Sequence, residues 1–536
     1  MKSYQRCPVA VRQRPGHDLE ASPSKATRTS GRLGDQSAEP EGALLVSDVT
    51  PLPVHLDKVV EGLAQNPALP PELVRRLFTH RGVLGGVARR PDLTDDMIAE
   101  IITVDDPWLT HSLALNRGLP HAFRMVLAEH SDPAVRAALV VGAESAPREL
   151  FERLLDDPDP RVRQQLAESD HVPADLRARL AADPDPKVRA AVAQWWTQAP
   201  EPVRRLLLTD PEDAVRAGAC ATYYPRLPRP VPPADLLPEL LADPVTRAGA
   251  VRHCTLDADT ARRLADDPEA DVRQELAEHP DLPPPVRDIL AVDPSPLVAL
   301  SVFARQDTPA STRAAIHARI MSEEPSANWL TDLHADLDDN ALEQQLMGEL
   351  ARRKLRTLRL PWITADPLPY VDSPYVCFRA SAAQSDDLPA RVVARLLEDE
   401  ESSVRTTMAL HAGSRIDAAT AERIERSYSP VRKARWRPAD SLPLPAGVLR
   451  RLASDPDPRM RQLAPRDPDL PVELVRRLAA DPEESVRRAV VTHPRLPARD
   501  LTKLLDDSSE SVAAAAAAHP RLPPRHMHQL LALAGL

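Results

Sequence analysis

Residues 455–480 read DPDPRMRQLAPRDPDLPVELVRRLAA, residues 481–506 read DPEESVRRAVVTHPRLPARDLTKLLD, and residues 507–532 read DSSESVAAAAAAHPRLPPRHMHQLLA. Three 26-residue units therefore abut without a gap. Self-similarity at a fixed period of about 20–50 residues marks a solenoid, in which each unit buries its apolar face against its neighbours.

Outward from this stretch, the first apolar residue of each unit's opening helix serves as a marker. It falls at Val59, Val83, Leu109, Val135, Val162, Val188, Val215, Thr246, Val272 and Val298, then at Val376, Val404, Val431, Met460, Val486 and Val512. Most steps are 26 or 27 residues, and the gap from Val298 to Val376 is three times 26. Sixteen clear units and two degenerate ones inside the gap give about eighteen helical pairs in an all-α array.

Local chemistry supports the helices. In residues 157–182, Asp159 precedes Pro160, a capping carboxylate followed by proline at the first helical position. Val162, Leu166 and Ala167 form the inward stripe of a helix that ends seven residues after its marker. Pro173 opens a second helix, whose Leu176 and Leu180 face inward. Helices of about ten residues are marginal alone, so stacking must stabilise them.

Residues 1–50 are polar and aperiodic and predict a disordered tail. Residues 51–319 form an N-terminal array and 373–536 a C-terminal one. Residues 320–372 break the pattern, with a longer helix around Asn340–Leu355 followed by an irregular stretch holding Trp362 and Tyr370. A 31-residue step after Val215 marks a Pro-rich lengthened loop.

The pattern D-P-x-x-x-V-R, an Ala-rich helix, then [NH]-P-x-L-P-x-x-L resembles the leucine-rich repeat variant family. Asp183–Arg189, Asp267–Arg273 and Asp481–Arg487 carry the first half; Asn66–Pro70, His279–Pro283 and His493–Pro497 carry the second. The resemblance covers most of residues 56–536 and extends to HEAT-like repeats. It implies a right-handed superhelix of alternating α- and 3₁₀-helices, hence a right-handed α-solenoid, with no general activity attached. Founding members carry a Cys-rich segment for an iron–sulfur cluster. The first 60 residues here hold only Cys7, so the cluster is not carried over.

Net charge is −11 with both signs mixed along the helices, which gives no global pull toward nucleic acid or anionic membrane. Cys7, Cys220, Cys254 and Cys377 lack C-x-x-C spacing. No run is long enough for a membrane span and no signal-peptide core opens the chain, so a soluble cytoplasmic monomer is expected.

Three rows of side chains recur. An Asp five residues before the marker and an Arg just after it, such as Asp157, Asp183, Arg163 and Arg189, predict helix capping and ion pairing within or between units. His253, His279, His411, His493 and His519 share the position seven after the marker, as do Asn66, Asn116, Ser169 and Asp467. That company points to a turn role rather than to metal. No metal or other cofactor is expected. Trp195-Trp196 and Tyr223-Tyr224 occupy nearly the same turn of successive units and are the candidate partner-binding residues, since Trp and Tyr dominate binding hot spots.

Catalytic signatures are missing. There is no H-E-x-x-H, no Walker loop, no G-x-S-x-G, and no His-Glu dipeptide of the kind that holds two irons in HEAT-like hydroxylases. The reading is a non-enzymatic scaffold for a protein partner. The alternative is a HEAT-like nucleic-acid-binding protein or DNA glycosylase, with Arg423–Arg437, including Arg426, Arg432, Lys433, Arg435 and Trp436, as its best patch.

Overall fold

The structure, a computed structural model, describes residues 53–80, 84–144, 146–220, 231–322, 339–428, 437–442 and 444–536. The chain divides into two units, Met1–Pro51 and Leu52–Leu536. The tail expectation for residues 1–50 lies outside the described residues, as do Tyr223, Tyr224, Val83 and Val431. Among the described residues every regular element is helical.

The unit at 157–182 shows how a repeat is made. Asp159 caps the helix Pro160–Glu168 by accepting the Arg161 N–H at 2.9 Å, and Pro160 stands at its start. Ser169 ends that helix in an extended conformation, seven residues past the marker. Val162, Leu166 and Ala167 are completely buried. Pro173 is the N-cap of Ala174–Arg179 rather than its first residue, because its carbonyl already accepts the Arg177 N–H. The second helix then tightens into a 3₁₀ turn, Leu180–Ala182, which drives Leu180 and Ala181 into the core.

First helices stack on first helices. Pro107–Ala114 packs on Pro133–Val141, which packs on Pro160–Glu168, then on Pro186–Trp195 and Asp213–Cys220. Each buried Val or Leu at the marker contributes about 1.5–3 kcal/mol against exposure.

A polar ladder runs beside that stack. In several units the Arg after the marker reaches forward to the Asp of the following unit: Arg136–Asp157, Arg163–Asp183, Arg189–Asp210, Arg216–Asp243, Arg273–Asp293, Arg461–Asp481 and Arg487–Asp507, at 2.6–2.9 Å. The same Arg bonds the backbone carbonyl of its own unit's Asp, as Arg163 Nη1 does to Asp157 O at 2.7 Å. The Asp carboxylate also accepts an N–H two residues on, as Asp157 does from Asp159. Each rung thus joins a helix start to two units at once.

The position seven after the marker is a second link. Asn116 Nδ2 donates to Ala88 O and Arg90 O of the unit before it, both at 3.0 Å, while its Oδ1 accepts from Gly118 N. His493 does the same with Asp467 O at 2.9 Å and Arg495 N at 3.1 Å, and His279 with Cys254 O and Asp281 N. These side chains staple units together as well as closing turns.

One marker is displaced. The rung Arg379–Asp399, with Arg379 Nη1 on Ser373 O, places the unit's marker at Phe378 instead of Val376. Phe378 is buried and Val376 only partly so. From Phe378 the next marker, Val404, lies one full 26-residue period on.

Within the irregular stretch the helix Asp339–Thr357, the longest among the described residues, packs between Pro296–Ala304 and Val376–Ala382. Large rings fill the gap beside it. Phe303, Tyr375 and Phe378 meet at 5.2–5.6 Å between centroids, and Trp362 and Tyr370 each meet Phe378 edge-on. Arg313 lies with its Cζ 5.2 Å from the Phe378 ring and 5.8 Å from that of Trp362. Within this core, burial pushes the Cys377 thiol up to about 12.

The opening helix Leu56–Ala64 packs along Glu510–Ala517, so the contacts of the array close into a circuit. Asn66 Nδ2 donates to Ala517 O and His519 O, both at 2.8 Å, and His55 Nε2 lies 3.0 Å from Ser508 O. A Cβ at Gly62 would stand 1.9 Å from Ala514 O, so glycine alone allows this approach. One apolar core runs from Val59 to Val215 and continues through Ala453 to Leu531.

Candidate functional site

Trp195 is the last residue of Pro186–Trp195 and occupies the stapling position held elsewhere by Asn66, Asn116 or His493. Asp185 caps the start of that helix by accepting from Lys187 N at 2.8 Å. At its end Trp196 donates its N–H to Val192 O and leaves helical geometry, and Ala199 N then donates to Trp196 O. A tight turn therefore presents two indoles on a fixed helix end.

The two rings are placed differently. Trp195 is 41% exposed, whereas Trp196 is partly buried and packs against the main core. Beside them a cleft of about 440 Å³ is lined by Asp170, Val172, Ala174, Arg177 and the turn Trp195–Gln198. The other two candidates, Tyr223 and Tyr224, lie outside the described residues, so the structure shows the tryptophan half of the patch.

Arg177 forms the floor beneath Trp196. Its Cζ lies 5.3 Å from the indole centroid, Nε donates to Ala167 O at 2.9 Å, and Nη1 pairs with Asp170 at 3.0 Å. Nη2 is buried with no hydrogen-bond acceptor. Burial lowers the Arg177 pKa from its ordinary value, a pull that Asp170 only partly opposes.

Arg177 belongs to a row that sequence reasoning passed over: an Arg four residues after the proline preceding the second helix. Arg124, Arg204, Arg287 and Arg313 share it. Arg124 is fully satisfied, with Nε on Leu119 O, Nη1 on Gly142 O, and Nη2 on Asn116 O and Arg117 O. Arg177 and Arg204 are the two that retain a buried, unbonded N–H, and both border the Trp196 turn. An unmade bond of this kind costs about 1–3 kcal/mol. Stacking of Trp196 on Arg177 returns about 0.5–2 kcal/mol. The Pro-plus-four spacing was the signal available in the sequence.

The described cations of the Arg423–Arg437 patch face carboxylates: Arg423 pairs with Glu398, Arg426 with Glu422 and Asp455, and Arg437 with buried Glu425. Arg432, Lys433, Arg435 and Trp436 lie outside the described residues. Among the described residues no group of three or more His, Cys, Asp and Glu is placed to hold a metal ion, and no helix is long and apolar enough to cross a membrane.

No family model matches this chain, and no curated protein matches it. A solved crystal structure of an engineered protein shares 14% identity, covering 85% of this chain and 98% of its own, with a TM-score of 0.12. A superposition that poor carries no argument about fold or function.

Proposed function

We propose that this chain is a non-enzymatic scaffold, a right-handed α-solenoid of about eighteen leucine-rich-repeat-variant-like units, that binds a protein partner inside the cell. Trp195 is the anchor of that contact and Trp196 its support. The observation that carries the reading is the exposure of Trp195 at a repeat position given elsewhere to stapling side chains. An aromatic ring held at a helix end loses little conformational freedom on binding, which is why such rings act as hot spots.

The test is affinity capture from the native lysate with wild-type and Trp195→Ala baits in parallel. A protein retained by the first and lost by the second is expected. An identical set of retained proteins on both baits refutes the role given to Trp195. Recovery of nucleic acid in a salt-sensitive manner would favour the HEAT-like nucleic-acid reading instead.

A further inference from the structure

Each junction within the array is bridged by the chain itself except one. Leu56–Ala64 meets Glu510–Ala517 through non-covalent contacts alone. No Arg–Asp rung crosses this seam, because Ala513 follows the last marker; the same holds where Val60, Thr110 and Ala299 follow theirs. The carboxylate of Asp507 is engaged by Arg487 of its own side. It is held by the Asn66 staple to Ala517 O and His519 O, the His55–Ser508 contact, close backbone packing at Gly62, and the apolar core that continues across it. The staple itself has the same form as that of Asn116 inside the array.

We propose that this seam is an exchangeable junction whose two faces, when parted, take the opposite ends of a second copy of this chain. A face built to receive the other end of its own chain receives the same end of an identical chain with the same contacts, which is the logic of domain exchange. The pairing is head to tail, so two open copies close into a dimer through two seams. Closure within one chain is favoured at low concentration because its two ends are held at high effective concentration.

Two differently tagged wild-type copies, concentrated together and then diluted, test this by size-exclusion and sequential capture on both tags. A dimer carrying both tags is expected, its yield rising with concentration during mixing. When both copies carry Gly62→Leu, that dimer falls at least tenfold, since any Cβ at this position meets Ala514 O. Failure of the wild type to exchange at any concentration overturns the proposal, as does an undiminished dimer from the Gly62→Leu pair. Should Gly62→Leu fail to fold, Asn66→Ala removes the staple together with the acceptor of the Ala68 N–H. Hydrogen exchange should then rise together in residues 56–64 and 510–517, and a rise confined to either segment overturns the proposal.

Discussion

Arg379 and Asp399 meet at 2.8 Å, the rung that sets the register of the array after its irregular centre. The rung spans 20 residues, as do Arg163–Asp183 and Arg273–Asp293. It identifies Phe378 as the buried marker and leaves Val376 beside the core. Truncation separates the two positions. Phe378→Ala should cost about 3–5 kcal/mol, the scale of a large ring removed from a closed core, whereas Val376→Ala should cost about 1 kcal/mol or less. Chemical denaturation of both variants measures this; equal costs would return the marker to Val376.

The ladder is the next test. Asp210 is buried, accepts both Nε and Nη2 of Arg189, and caps Glu212 N–H at 3.0 Å. Removing one partner of a buried ion pair leaves the other uncompensated, at about 3–5 kcal/mol in full burial. Arg189 keeps some exposure, so Asp210→Ala should cost about 2–3 kcal/mol. Asp210→Asn, which retains the cap, should cost less. A double-mutant cycle with Arg189→Ala reads the coupling, and a coupling near zero would make the rung decorative.

Acid should unfold the array in two stages. His519 is held neutral in the fold: its Nδ1 accepts from Arg521 N at 3.0 Å, and burial, with Arg521 nearby, lowers its pKa below the ordinary 6.5. A lowered value means that the unfolded chain takes the proton first. Stability from this residue is therefore complete above pH 6.5 and lost as pH falls through the lower folded value. The Asp row follows. Burial opposes charge on Asp507, but Arg487 and the Ser509 N–H prevail and hold its carboxyl below the ordinary 3.8. Its contribution is complete above about 3.8 and is lost below that. Burial lowers the pKa of His253, His317 and His526 as well, so His519→Asn, which keeps a stapling amide and removes one titration, should shrink the first stage of a Tm–pH profile and leave the second.

How much of this was legible follows from where the information resides. Asp159, Pro160 and Ser169 act within a few residues of themselves, and the sequence displays their roles directly. The Arg–Asp rungs join positions about 20 residues apart and were visible as two rows, though the rows did not say that each Arg reaches the unit ahead. Phe378 was hidden because a β-branched Val stood two residues earlier in a stretch without good neighbours. The seam was hidden for a different reason. Closure depends on the small rotation between units summed around the circuit, which no single repeat records; only Gly62, a glycine in a helix interior, betrayed a close backbone approach.

The two tryptophans give the sharpest separation of stability from binding. Trp196 packs on the core and stacks on Arg177, whose remaining N–H has no acceptor. Trp196→Ala removes the ring and the cation–π contact together and should lower stability by about 2–4 kcal/mol, between exposed and fully buried ring truncation. Trp195 keeps 41% of its surface in solvent. Trp195→Ala should therefore leave thermal unfolding within about 1 kcal/mol of wild type while weakening partner binding by about 2 kcal/mol or more. Calorimetric unfolding and titration against the captured partner provide the two numbers. If Trp195→Ala costs stability and spares binding, the ring is a plug for the turn, and the anchor must be sought elsewhere on the array.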